Sequence, residues 1–563
     1  MTFNHPQSRT AAGGPNRQRL LAAAVAAASC TFAAPAAVYA QAASTADLQN
    51  LQDQVNRLQR EIDRLKAQQQ QQAQQQQQAQ QQPAQQTANT PAQPQSPPPQ
   101  VASAKASAQA STAPSPSFMA GPVKVTLGGF VELMVVNRDR NESADWASNF
   151  NTSIPFPNSH NYDLSEFHLT ERQSRVQALF QGPDSEDWAT EAYVEGDFGG
   201  AGGTANNNES SSFSPRVRHY FADVTYKDTG SNLLFGQTWS LVTGNKTGIV
   251  ARSENIPLTI DGQYVPGFDW LRVPQIRFTQ RVNDLLTAAV SAENPAALIT
   301  SNSSAGAPAL TTIFNNPGAS NSFTPPNGTA FAANNVTLDW LPDIVGKVAV
   351  DPGFGHYEAF VTERFFRARD IASGKQSNIK TNATGFGGNA IVPLVPRIVD
   401  FQASILAGRG VGRYGSSQLP DATINPVTLG VEPLRGFQAL AGLIVRPAPM
   451  WTLFGYAGEE QVSKKDFLVS AGGKTYGYGY GSSLFDNGGC ETEGVGACAS
   501  NTSRIVSGTI GGWWKFYQGM LGNGQIGLTD TWIKREIFSG IGGDPSTNIN
   551  ITMVSFRYYP FQK

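Results

Sequence analysis

The 563-residue chain carries 41 Lys+Arg against 43 Asp+Glu, so it is nearly neutral, and only 15% of its residues are charged, well below the roughly 25% of soluble domains. Near-neutral charge argues against a basic nucleic-acid-binding domain, and three cysteines exclude a disulfide-dense secreted scaffold. Hydrophobic residues make up 40% and glycines number 55, distributed so that the first fifth and the rest are different materials.

At the N-terminus, Arg9, Arg17 and Arg19 precede the apolar run 20–28, and Val38, Tyr39 and Ala40 follow with small residues at the last and third-last positions. That is the layout of a secretory signal cleaved after Ala40. A transmembrane anchor needs about 20 apolar residues, and Ser29, Thr31 and Pro35 interrupt this run. The alternative of lipidation at Cys30 suffers from Ala27 standing where a branched apolar residue is expected. Residues 1–40 are therefore read as a signal peptide.

Leu48, Leu51, Val55, Leu58, Ile62 and Leu65 recur at spacings of a coiled-coil seam, with Val55 and Ile62 at a and leucines at d. Residues 41–67 are expected to form a short periplasmic coiled coil, a candidate for contact with the cell wall. Residues 68–120 are Gln/Ala-rich and then Pro-rich. Such a segment cannot bury enough apolar surface to offset its chain entropy and reads as a disordered spacer.

From residue 121 to 563 the pattern becomes alternating. In the stretch 175–181, Val176, Ala178 and Phe180 oppose Arg175, Gln177, Leu179 and Gln181. Val399, Phe401, Ala403, Ile405 and Ala407 oppose Asp400, Gln402 and Ser404, and Val554, Phe556 and Tyr558 oppose Ser555, Arg557 and Tyr559. Segments of about ten residues with one apolar and one polar face read as strands between lipid and lumen. Aromatic residues at segment edges (Trp188, Tyr226, Trp239, Trp451, Trp513, Trp514, Trp532, Tyr558 and Tyr559) suit interfacial girdles. The predicted fold is all-β: a transmembrane antiparallel β-barrel of about 16 strands, wide enough for an aqueous channel. Outer-membrane lipid is its expected surroundings.

Four motifs, Gly236–Leu241 (GQTWSL), Val273–Thr279 (VPQIRFT), Gly408–Gly415 (GRGVGRYG) and Phe556–Phe561 (FRYYPF), together resemble the DcaP-like family of outer-membrane porins over roughly residues 121–561. The resemblance implies a homotrimeric diffusion channel of Gram-negative bacteria passing small, often dicarboxylic or aromatic, anions.

In a channel the chemistry is electrostatic, carried by side chains that replace hydration. Residues from 121 onward hold 33 Lys+Arg and 39 Asp+Glu, so an anion preference must come from position rather than sum. The polar parity offers Arg175, Arg216, Arg218 and Arg277, with Arg272 just before the last, as a lumen ladder for small anionic solutes. The alternative is a structural lattice in which they pair with Glu171, Glu191 or Glu195. The long stretch 243–267 holds Lys246, Arg252, Glu254 and Asp261 and reads either as a constriction loop in the lumen or as a surface loop. Asp351, Glu358 and Glu363, with Arg364, Arg367 and Arg369, read as rim or loop charges. Cys490 and Cys498, eight apart in a Gly-rich loop of an exported chain, are expected to form one local disulfide.

Five histidines (His5, His160, His168, His219 and His356) show no zinc-ligand spacing, and no nucleophile elbow or phosphate loop is present. No enzyme activity, metal or cofactor is expected. The competing readings are a plugged barrel serving as an envelope tether or adhesin, and an outer-membrane hydrolase built on His219 and Asp223.

Overall fold

The computed structural model describes residues 116–142, 150–183, 185–200, 210–310, 312–313, 339–370 and 377–562. The signal peptide, the coiled coil and nearly all of the spacer lie outside the described residues. Of the segment read as spacer, Ser117–Ala120 forms a short strand folded back on Val123–Thr126.

Sixteen antiparallel strands close into a barrel. They are β1 (Val123–Arg138), β2 (Glu166–Thr170 and Arg175–Gln181), β3 (Trp188–Asp197), β4 (Arg216–Tyr226), β5 (Ser231–Trp239), β6 (Arg272–Arg281), β7 (Leu286–Glu293) and β8 (Asp343–Val350). The circuit continues with β9 (His356–Asp370), β10 (Ser377–Val395), β11 (Val399–Arg409), β12 (Arg435–Ala448), β13 (Trp451–Val462), β14 (Thr502–Gly519), β15 (Gly522–Ile537) and β16 (Ser546–Tyr559). Closure comes from β16 pairing with β1, with Tyr558 opposite Val131 and Ile551 opposite Arg138. Among the described residues only two 3-10 turns, Gly262–Tyr264 and Gly412–Tyr414, are helical.

Short turns join the strands at one end, as between Ala448 and Trp451 or Gly519 and Gly522; long connections, 240–271, 410–434 and 463–501 among them, join them at the other. Side-chain alternation follows the expected parity. Val176, Val217, Ile276 and Phe278 are 69%, 56%, 61% and 45% exposed on the outer surface, whereas Arg218 and Arg277 between them are buried inside. A soluble protein does not display such a belt; burying it in hydrocarbon is worth about 25 cal/mol per Å².

The girdle assignment holds for Trp188 and Tyr226, in contact at 4.8 Å, and for Trp451 and Trp514, stacked at 5.7 Å. Trp239 and Trp513 are exceptions. They are 4% and 7% exposed and lie on the inner face; for Trp513 this follows because alternation lets only one of the adjacent Trp513 and Trp514 face outward.

The apolar core lies within the barrel. Phe150 and Ile154 of the β1–β2 connection, Ile260, Tyr264, Val265 and Phe268 of the β5–β6 connection and Leu419 and Leu434 of the β11–β12 connection pack on Met134, Val136, Ile549, Ile551 and Met553 of the wall. Three loops thus fold inward and fill the long-loop half of the lumen.

Candidate functional site

The β5–β6 connection, residues 240–271, crosses the lumen and is pinned at each crossing. Lys347 Nζ of β8 donates to Thr243 O at 2.8 Å, and Trp513 Nε1 of β14 donates to Leu258 O at 2.7 Å. Arg557 Nη2 of β16 donates to Ile260 O at 2.7 Å, and Arg138 Nη2 of β1 to the Tyr264 hydroxyl at 2.7 Å. The return leg lies directly on the wall. Gly267, at φ +90, would place a Cβ 2.0 Å from Ala439 O, and Gly458 of β13 would place one 1.7 Å from Pro266 O. Only a glycine on each side allows that approach. Of the two sequence readings, the inward loop is the one adopted.

Between this loop and the barrel wall lies a cavity of about 460 Å³. Its lining carries seven cationic side chains, Arg175, Arg218, Lys246, Arg252, Arg446, Lys515 and Arg557, against three carboxylates, Glu195, Glu254 and Asp261. Tyr193, Trp270, Trp513 and Tyr559 add aromatic faces. Burial pushes the carboxyls of Glu254 and Asp261 upward from their ordinary range.

Most of the arginines are paired. Arg218 meets Glu195 at 2.5 Å and Asp197 at 3.0 Å, and Arg175 approaches Glu195 at 3.6 Å. Arg252 meets Glu191 at 3.2 Å and stacks over Tyr193; Arg446 meets Asp400 at 2.5 Å and Arg557 meets Glu132 at 3.0 Å. Lys246 and Lys515 line the cavity, are solvent-exposed, and reach no carboxylate within ion-pair distance among the described residues.

Of the seven cations expected in the pore, Arg175, Arg218, Lys246 and Arg252 line this cavity. Arg216 lies outside its lining, held by two bonds to the Asp197 carboxylate at 2.9 and 2.7 Å. Arg277 is sealed in the wall, donating to Gln275 Oε1 and Trp239 O. Arg272 stacks between Trp239 and Trp270, at 4.6 and 4.9 Å. Correct parity puts an arginine inside the barrel but not on its free surface, because a neighbouring strand or loop can cover it. The Glu195–Asp197–Arg216–Arg218 cluster corresponds to the lattice alternative.

Glu358 and Arg364, read from sequence as rim charges, are buried within the barrel, 6% and 0% exposed. Both lie on the inner parity of β9, where Arg364 bridges Asp343 and Asp421. Asp351 does sit in the β8–β9 turn. Arg446 and Lys515 were missed because each follows an apolar stretch, Leu443–Val445 and Trp513–Trp514, in which alternation is hidden. Arg557 had the right parity but belonged to no recognised cluster.

An extra residue in β4 places Glu195 opposite His219 and Gly196 opposite Val217, so Arg218 and His219 both turn inward. His219 Nδ1 lies 3.0 Å from Thr238 Oγ1, and Asp223 accepts from Asn232. The hydrolase pair is therefore not assembled. Cys490 and Cys498 are joined as a disulfide in the β13–β14 connection, with Cys490 packed on Phe156 and Ile537. No metal-ligating cluster occurs among the described residues.

No protein-family model and no curated protein matches this chain. Its structure is similar to the outer membrane channel DcaP of Acinetobacter baumannii, with a TM-score of 0.54 at 16% identity over 79% of this chain and 100% of that one. Weaker likenesses are to OmpF of Salmonella typhi (TM-score 0.41, 10% identity, 79% and 99% covered) and to the anion-selective porin of Comamonas acidovorans (0.40, 9%, 78% and 99%). The barrel, closed by 16 strands and entered by its own loops, has the fold of the DcaP channel.

Proposed function

We propose that the protein is an outer-membrane porin, a passive channel for small hydrophilic solutes that favours anions such as dicarboxylates or aromatic acids. The observation that carries this reading is the cavity between the inward loop and the barrel wall, with seven cations to three carboxylates. Low-dielectric walls focus such an excess on a passing ion. The short-turn end then faces the periplasm, as does the chain's N-terminal region: a signal peptide over 1–40, a coiled coil over 41–67 that contacts the cell wall and a spacer over 68–120. The channel assembles as a homotrimer, needs no cofactor and performs no catalysis. The likeness in fold to DcaP, an outer membrane channel, supports the same reading.

Planar-bilayer recording of the purified protein under a salt gradient tests it. Discrete conductance steps with an anion-selective reversal potential are expected. Cation selectivity would overturn the anion preference. One observation favours a second reading: three loops pack an apolar core across the long-loop half of the lumen, as a plugged envelope anchor would require. Folded protein that stays electrically silent would support that reading instead.

A further inference from the structure

One buried histidine ties the inward loop to the wall. His356, the first residue of β9, is 3% exposed. Its Nδ1 lies 2.7 Å from Asp351 Oδ1 and its Nε2 lies 3.1 Å from Glu358 Oε1. Both carboxylates are already occupied as acceptors. Glu358 accepts from Lys347 Nζ, Asn389 Nδ2 and the backbone N–H of Asn245, at 2.8, 2.9 and 2.9 Å. Asp351 accepts from the backbone N–H of Gly248 at 2.8 Å and from the Thr247 hydroxyl at 3.2 Å. A ring between two acceptors fits only with a hydrogen on each nitrogen, as imidazolium. The remaining charges around it are Lys347 of β8, Arg277 of β6 and Asp269 of the loop, the last two within electrostatic reach of Glu358.

The two carboxylates hold the loop backbone at 245 and at 248, and Lys246 lies between those points with its side chain lining the cavity. We infer that His356 is a positioning residue whose protonated ring locks residues 245–248, and with them Lys246, so that loop order and ion preference depend on pH. The ion-preference half rests on the porin reading; the loop-order half does not. The sign follows from the geometry. The charged ring donates to both carboxylates at low pH. As pH rises through the range where imidazole titrates, one nitrogen presents a lone pair to a carboxylate, and attraction becomes repulsion.

Amide hydrogen exchange on the full mature protein in lipid discs, corrected for intrinsic rates, tests the lock at about pH 5 and about pH 8. Protection of residues 243–250 is expected to fall about tenfold at the higher pH, as for losing one charge-assisted bond, while residues 262–268 stay unchanged. In His356→Gln the step disappears with the barrel still heat-resistant, and Asp351→Asn is weakly protected at both pH values. Equal wild-type protection at both, or the same fall in His356→Gln, overturns the inference. In bilayers the anion-over-cation permeability ratio should follow the same step in wild type and not in His356→Gln. Channel silence at every pH refutes the porin reading instead, and the exchange measurement still decides the lock.

Discussion

The two halves of the barrel solve opposite problems with the same strands. In β16 the short-turn half sets Val554, Phe556 and Tyr558 outward and Ser555 and Arg557 inward; the long-loop half sets Asn548, Asn550 and Thr552 outward and Ile549, Ile551 and Met553 inward. Side-chain parity is continuous while polarity inverts. Below the inversion the outside meets lipid and the inside meets water and ions. Above it the outer face of β16 is polar, and the inside meets the folded loops, so the core of a soluble protein sits within the mouth of a membrane protein. Strand geometry fixes which way a residue points, and the medium on each side fixes what residue it must be.

The sharpest test of the loop-filled half is to add one methyl to each face of its wall, since Gly458 and Gly508 lie at one level on paired strands. In Gly458→Ala the new Cβ meets Pro266 O at 1.7 Å, whereas Gly508, on the outer face of β14, has nothing within 4 Å of its hypothetical Cβ. Gly458→Ala is expected to cost about 1–3 kcal/mol of loop docking, which appears as proteolysis within residues 240–271 and as noisy conductance from a still-folded barrel. Gly508→Ala should stay within about 0.5 kcal/mol of wild type in thermal unfolding. Equal effects would mean the loop is not held by the wall.

That difference also marks how far the sequence is legible. The short-turn half reads well because alternation against lipid is strict: the outward Val176, Ile276 and Phe556 and the inward Arg175 and Arg557 all follow from period-two patterning. The long-loop half reads poorly. Phe150, Ile154, Ile260 and Leu419 stand in loop sequence with no period, and their burial depends on which loops enter the lumen. The motifs Gly236–Leu241 and Gly408–Gly415 belong to this half. Trp239 packs on Phe268 and Trp270, and Tyr414 O accepts from the Trp270 backbone N–H, so both motifs clamp the inward loop, and Trp239 also lines the cavity. Parity likewise exposed the candidate arginines and, in the lattice alternative, their partner Glu195, but not Asp197, which arrives from the neighbouring strand.

Charge placement sharpens the comparison between paired and free cations. Replacing Lys246 and Lys515 together by Ser removes two charges that have no ion-pair partner among the described residues, and should lower the anion-over-cation permeability ratio about threefold at low salt, where screening is weak. Arg216→Ser should leave that ratio within experimental error, because the charge of Arg216 is matched by Asp197, and should instead lower thermal stability. A larger selectivity change in Arg216→Ser would restore the arginine ladder as the cause.

A smaller effect is expected from acid. Burial raises the Glu254 and Asp261 carboxyls, so as pH falls they lose their negative charge before ordinary carboxylates do, and anion preference should rise from above the usual range near 4. Glu254→Gln should move the neutral-pH ratio toward anions and flatten this rise in reversal-potential titrations. An unchanged titration would show that Glu254 is not felt in the conducting path.

The smallest channel effect belongs to the outermost part of the long-loop half. Cys490 and Cys498 close an eight-residue separation in the β13–β14 connection, a loop whose entropic constraint is worth about 2.5 kcal/mol. The loop also packs locally, since Asn158 N–H donates to Cys490 O and the Phe156 and Ile537 side chains cover Cys490. Changing both cysteines to Ser should therefore raise protease cleavage between 482 and 501 several-fold and loosen the neighbouring 154–160 segment. Conductance and selectivity should not move, because neither sulfur approaches the cationic cavity and the inward loop takes its anchors from Glu358, Trp513, Arg557 and Glu460. A conductance change in the double serine variant would mean that the outer loops and the cavity act as one unit, and the division of the barrel into two independent halves would fail.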